Sequence, residues 1–244
     1  MFHTSSRTYV WLEFFAIMIL MRKIVIILYG PPGSGKGTQA NLLADKLSLI
    51  HFDTGRFLEA VVHDPARQKE KIVQRERKLF DGGKLMTPSF VFREVAREAR
   101  RLAETDWGLV FSGSPRTVYE AEKLYPVLGK LYGKKNIFIF VLNVPSGYSL
   151  IRNSARLMCS VCGYGFLAAY YPSRKPKHCP VCGGTFYRRT LDKPKVIKVR
   201  LQEYKNRTEP ILDIVKKLGY RLKEIDARPA PYKVLAKIIS FIRK

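Results

Sequence analysis

A parallel α/β sheet is the fold class this sequence predicts, and three observations predict it. Short apolar runs at residues 24–28, 109–111, 137–142 and 220–225 alternate with stretches of helical period. A glycine-rich loop, residues 30–38, joins the first run directly to a helix. The 244 residues are 46% hydrophobic and 12% aromatic, enough for a sizeable core, which excludes global disorder.

The elements follow in order. Residues 10–29 read VWLEFFAIMILMRKIVIILY. Glu13 and the Arg22-Lys23 pair interrupt this run, so no stretch reaches the roughly 18 to 20 apolar residues that a spanning helix needs. No basic segment precedes it and no small-residue cleavage site is evident, which argues against a secretory signal. Its second half reads as a buried strand, since the glycine-rich loop follows at once. Met21 makes a natural start for that strand, and residues 1–20 are expected to be an extension or a misassigned start.

Gly35 opens a helix to residue 47, with Leu42, Leu43 and Leu47 as apolar positions. A turn at 51–55 leads into a helical region that Pro65 divides and Asp81-Gly82-Gly83 ends. Thr87-Pro88 starts the next helix, threonine as cap and proline at the first position, and it runs to about Glu104. Residues 117–131 are helical, between the second and third strands. Residues 146–158 read as a helix ending at the first cysteines. Asp192 reads as the cap of a long basic helix that Pro210 breaks or kinks. A strand at 220–225 and a helix at 232–243 close the chain.

Forty-four Lys and Arg against 20 Asp and Glu give a net charge of +24, so an acidic partner is expected: nucleotide phosphates, nucleic acid or an anionic surface. The four cysteines form two C-x2-C pairs, Cys159/Cys162 and Cys179/Cys182, with no thiol left over. Sixteen residues separate the pairs, the spacing of a closed tetrahedral zinc site rather than a secreted disulfide framework. A reducing, cytoplasmic compartment fits that usage.

Gly30-Pro31-Pro32-Gly33-Ser34-Gly35-Lys36-Gly37-Thr38 stands between a strand and a helix. Such glycines let backbone N–H groups turn inward around phosphate oxygens. The helix N-terminus adds its dipole, and Lys36 reaches the β and γ phosphates. Gly37 follows that lysine where most phosphate loops carry Ser or Thr for magnesium.

This loop resembles that of adenylate kinases and related nucleoside monophosphate kinases, and the resemblance extends over nearly the whole chain from Met21. Asp53-Thr54-Gly55 is similar to the family's acceptor turn. Asp81-Gly82-Gly83-Lys84-Leu85-Met86-Thr87 is similar to the segment leaving the acceptor-binding part. Gly113-Ser114-Pro115-Arg116-Thr117 resembles the family's G-F-P-R-T, with Ser114 for Phe. Val144-Pro145, Arg152 and Arg156 resemble the strand end and arginine helix before the lid; Arg189, Asp192 and Arg200 resemble the helix after it.

The resemblance implies a P-loop NTPase-type sheet flanked by helices. Residues 21–244 are the core, 53–83 the acceptor-binding insert and 157–191 a zinc lid. It implies MgATP + AMP giving two ADP. Phosphoryl transfer needs positioned phosphates and neutralised charge rather than a nucleophilic side chain, so Lys36, Arg116, Arg156, Arg189 and Arg200 are the implied catalytic set. Gly33, Ser34, Gly35, Lys36, Gly37, Thr38, Arg152, Gly165 and Phe166 are implied for ATP. For the acceptor the set is Thr54, Gly55, Arg56, Glu59, Lys84, Leu85, Met86, Gly113, Arg116 and Glu120. Cys159, Cys162, Cys179 and Cys182 are implied for structural zinc, with Mg2+ entering alongside ATP. A monomer without membrane association is expected.

Departures from the family pattern fall at the acceptor side. An arginine expected four residues after the glycine of the acceptor turn is Glu59; Arg56, three residues earlier on the same helix face, either replaces that cation or pairs with Glu59. The aspartate before G-F-P-R-T, tied in the family to magnesium-bound water, is Ser112. The base-reading glutamine is Glu120. An ionised carboxylate only accepts, which suits the two donors of guanine. The remaining motifs favour adenine, so AMP is the expected acceptor with GMP its nearest competitor. A rival of another class is a P-loop protein whose basic zinc ribbon, with Arg174, Lys175 and Lys177, binds nucleic acid.

Overall fold

The computed structural model describes residues 23–166 and 176–242. The readings for residues 1–20 and for Arg174 and Lys175 lie outside them. Five parallel strands form the centre: β1 (Val25–Tyr29), β2 (Ile50–Phe52), β3 (Leu109–Phe111), β4 (Ile137–Asn143) and β8 (Arg221–Asp226). Their order is β2-β3-β1-β4-β8. β1 lies in the middle, and its five residues VIILY are all buried. Strands covered on both faces read as continuous apolar runs, as β1, β3 and β4 do, whereas the edge strand β8, RLKEID, is largely exposed.

The alternation of β1 splits the core in two. Val25, Ile27 and Tyr29 face one layer with α2 (Thr54–His63), α3 (Lys71–Asp81), α4 (Pro88–Ala103), α5 (Val118–Tyr132) and α8 (Ile211–Lys217). Ile24, Ile26 and Leu28 face α1 (Lys36–Leu47) and α9 (Pro231–Ile242) on the other side. Ile26 is fully buried, and its truncation to alanine would cost about 2–5 kcal/mol.

After β4, α6 (Ser146–Ser154) leads to a second, small sheet of β5 (Leu157–Cys159), β6 (Gly165–Phe166) and β7 (Phe186–Tyr187), antiparallel in the order β6-β5-β7. α7 (Pro194–Glu203) follows it and passes through a π-helical turn, Tyr204–Thr208, before Pro210 starts α8.

Three local readings change. Residues 50–52 pair with β3 as a strand rather than opening a turn; the apolar run is too short to announce itself. The helix from 146 ends at Ser154, because residues 157–159 join the small sheet. Asp192 does not cap α7, whose cap position is Lys193; it ends a 3₁₀ turn and is drawn into an arginine cluster. Among the described residues no helix is long and apolar enough to cross a membrane.

Candidate active site

The C-terminal ends of β1, β2 and β3 open into one cleft of about 1120 Å³, which also reaches α6, the small sheet and α7. That exceeds the roughly 300–1,000 Å³ usual for a single-ligand pocket. The glycine-rich loop forms its floor. Gly33 has φ +78°, and a Cβ there would lie 2.6 Å from Asn153 Nδ2, so only glycine lets the loop approach α6. Ser149 Oγ of α6 donates to Pro32 O. Lys36 Nζ donates to Gly30 O at 2.6 Å and Pro31 O at 2.9 Å, folding its charge over the loop.

Four arginines converge above Lys36. Arg116 Nε donates to Gly113 O at 2.7 Å, and Gly113, φ +138°, leaves no room for a Cβ beneath that guanidinium. Arg156 is forked onto Asp192, with Nε to Oδ2 at 2.9 Å; Arg200 Nη1 lies 3.7 Å from the same carboxylate. Arg189, with Arg116, Arg156 and Arg200, lines the cleft. Burial, reinforced by Arg116, Arg200 and Arg156, holds the Lys36 ammonium well below its ordinary range, against the pull of Asp53. Burial and the Arg116, Arg156 and Arg189 charges likewise depress Arg200, to about 9. Cations crowded this way are relieved by an anion among them, so the cleft is built for phosphate. Arg152 donates to Ala227 O and Arg228 O, both at 2.9 Å, bracing the turn after β8.

α2 and the turn after α3 touch the turn of the small sheet, the residues that follow β7, and α7. Arg56 Nη2 donates to Gly163 O at 2.8 Å, and Glu59 lies 3.9 Å from Arg189. A Cβ on Gly83 would come within 2.5 Å of Val196 on α7. The pairing of Arg56 with Glu59 is thereby corrected: its guanidinium meets Gly163 O and Asp53, 3.7 Å away, while it also lines the cleft.

The four cysteines are free thiols whose sulfurs lie within 4.8 Å of one another. Cys159 and Cys182 are 3.4 Å apart, Cys162 and Cys179 3.7 Å. Zn–S bonds of about 2.3 Å set tetrahedron edges near 3.8 Å, so the cluster fits zinc. Val161 N and Val181 N each point to a cysteine sulfur at 3.4 Å, which stabilises thiolates. Asp45, Asp53, Glu98 and Glu203 are the carboxylates lining the cleft, and of these Asp53 directly follows β2; a hard ion that keeps much of its water and takes one or two carboxylates fits such a lining.

Most expected residues line the cleft: Gly33, Gly35, Lys36, Gly37, Thr38, Arg152, Gly165, Gly55, Arg56, Lys84, Leu85 and Gly113. Others do not. Phe166 packs on Phe186, ring centroids 5.4 Å apart. Met86 lies in the core. Ser34 and Thr54 are buried, each with a hydroxyl that has no hydrogen-bond partner in the described structure. Glu120 is 2% exposed and engaged behind the wall: Arg116 N donates to Oε2 at 2.8 Å and Thr117 Oγ1 to Oε1 at 2.9 Å. Asp53 and His51 line the cleft although sequence reasoning gave neither a chemical role. The signal for Asp53 was its position at the end of a strand then unrecognised.

The adenylate kinase family model matches residues 28–220. The chain is 34% identical over 194 residues to an adenylate kinase of Caldicellulosiruptor bescii, spanning 80% of this chain and 87% of that protein. It is equally similar to one from Methanothrix thermoacetophila. It is 33% identical over 220 residues to one from Methanocella arvoryzae, spanning 89% of this chain and 98% of that one.

Proposed function

The chain belongs to the adenylate kinase family, a phosphotransferase that moves a phosphoryl group from ATP to a nucleoside monophosphate, and we propose that its acceptor is AMP, giving two ADP. One observation carries this reading: Lys36 in its loop and four convergent arginines share a single cleft large enough for two ligands.

The chemistry follows from that arrangement. The loop amides and Lys36 grip the donor phosphates. Arg116, anchored between Gly113 and the Glu120 cap, holds the acceptor phosphate. Arg156, Arg189 and Arg200 neutralise the transferring group, whose charge spreads over its equatorial oxygens. Asp192 aims Arg156 and Arg200 before substrate arrives, so little reorganisation remains. Magnesium, when it enters with ATP, neutralises phosphate charge. Gly37 and Ser112 leave it held largely by phosphates and water.

Residues 53–83 and 157–191 act as the two closing segments. Their contacts through Arg56 and Glu59, with Gly83 packed close to α7, support a closed arrangement that shields the reacting phosphates from water. Zinc in the cysteine cluster stiffens the lid. Adenine is favoured over guanine because the carboxylate that would suit guanine, Glu120, is engaged with Arg116 and Thr117. The test is a coupled assay of ADP formation from MgATP with AMP, GMP, CMP, UMP and dAMP. AMP should give the highest kcat/KM; a higher value for any other base would overturn the choice, and no turnover with any would overturn the activity.

A further inference from the structure

In phosphate-loop enzymes the magnesium ion leans on a hydroxyl one residue past the loop lysine and on an acidic residue at a neighbouring strand end. This chain has neither in those places: Gly37 follows Lys36, and Ser112 follows β3. The Ser112 hydroxyl is already engaged, 2.6 Å from His51 Nε2, while His51 Nδ1 is 2.6 Å from Asn41 Oδ1. A carboxylate stands one strand over. β2 and β3 are in parallel register, Phe52 beside Phe111, so Asp53 and Ser112 are the next residues of adjacent strand ends. Ser112 N donates to Phe52 O at 3.3 Å, which fixes the two ends side by side.

We propose that Asp53, displaced by one strand, is the carboxylate that positions the water shell of the magnesium accompanying ATP. This rests on the phosphoryl-transfer reading of the cleft. The side chain is divided between two tasks. Oδ1 caps α2, accepting from Gly55 N at 3.0 Å and Arg56 N at 3.2 Å. Among the described residues Oδ2 has Arg56 Nε as its ion-pair partner, at 3.7 Å, and the side chain is 30% exposed on the cleft. It therefore offers an oxygen to a hydrated cation without giving up the cap. Asp53 lines the same cleft as Lys36 and Arg116, the residues assigned above to donor and acceptor phosphates. Magnesium binds through one or two carboxylates and retains several waters, so a single outer carboxylate suffices.

The test separates charge from cap. Asp53→Ser keeps a good helix cap and removes the charge. Asp53→Ser with Ser112→Asp returns the charge to the adjacent strand end. Mn2+ serves as the probe, its affinity for the full-length enzyme with ATP read by electron paramagnetic resonance, and metal-free ATP binding is measured by calorimetry. Asp53→Ser should weaken Mn2+ about 10- to 100-fold, the usual cost of an outer-sphere partner. ATP binding without metal should stay within about twofold, and the double variant should recover most of the Mn2+ affinity. Mn2+ affinity unchanged in Asp53→Ser overturns the proposal. So does a loss that metal-free ATP binding shares, or one that the double variant fails to restore. Absence of ATP binding and ADP formation in the unaltered protein would instead sink the kinase reading, a separate result.

Discussion

The donor half of the cleft and its acceptor half are built to different standards of redundancy. The side of the phosphate loop rests on one backbone conformation, one lysine and a cysteine cluster that fits zinc. On the acceptor side, charges have been exchanged: Glu59 for a cation, Ser112 for a carboxylate, with Asp53 and Arg56 nearby. The lesson is that backbone-defined phosphate binding tolerates no relocation, whereas a field of side-chain charges does. Substitutions should therefore be severe on the first side and graded on the second.

The largest effect concerns the lid. Its sheet has three strands of two or three residues, with Phe166 packed on Phe186. Zinc binding is worth roughly 10–16 kcal/mol in isolated fingers, enough to fold such a segment. One zinc per chain is expected. Chelation should abolish amide protection in 157–166 and 179–187 while β1, β3 and β4 stay protected in hydrogen exchange. Protein purified under reducing, zinc-replete conditions yet lacking metal would break the donor-side argument.

Next comes Lys36→Ala. Removing charge where it develops in the transition state typically costs about 10²- to 10³-fold in kcat. The fold should persist, since the β1 core residues lie beneath the loop rather than on Lys36. Turnover within about threefold of the unaltered enzyme would remove Lys36 from the chemistry.

How far these features were legible in the sequence follows the same division. The loop, the cysteine spacing and the Thr87-Pro88 start are local, so a few adjacent residues announce them. Asp192 read as a helix cap because capping is local chemistry; its pairing with Arg156, 36 positions away, is not. β2 escaped because three residues carry no periodicity, and with it went the meaning of Asp53. Arg56 reaching Gly163 across 107 positions has no sequence signal at all. The arginines gained roles only through their order along the family pattern, since any one of them resembles ordinary surface charge.

That long-range contact gives the third, smaller effect. Arg56→Ala removes an exposed charge-assisted hydrogen bond between insert and lid, worth about 0.5–1.5 kcal/mol. The closed population, read by energy transfer between dyes on α3 and on the lid, should fall roughly two- to tenfold. KM for the acceptor should rise while zinc content stays constant. An unchanged distance distribution would mean that the close packing of Gly83 against Val196 of α7 holds the insert without Arg56.

The smallest effect is expected at Glu120, where sequence and structure diverge most. As the base-reading residue, a carboxylate there would bias the enzyme toward guanine. In the structure its oxygens accept from Arg116 N and Thr117 Oγ1, while Thr117 Oγ1 in turn accepts from Glu120 N at 3.2 Å. This is a variant of the capping box in which the side chain reaches the residue before the cap; glutamine keeps the Arg116 N contact through its oxygen and turns its amide N–H toward Thr117 Oγ1. Glu120→Gln should therefore leave the AMP-over-GMP ratio of kcat/KM within about twofold, against the roughly 1–3 kcal/mol that a bidentate base contact commands. Its signature should appear in stability instead. Burial raises the Glu120 pKa, opposed by the Arg116 N–H and Thr117. A raised folded-state pKa means the native protein binds this proton more tightly than the unfolded chain. The stability it supplies is complete below the ordinary carboxylate value of about 4.3 and is lost as pH rises through the folded value. Glutamine does not titrate, so the melting temperature of the variant relative to the parent should climb between pH 4 and neutrality. A tenfold shift in base preference with no such climb would show that the side chain leaves its cap to read the acceptor.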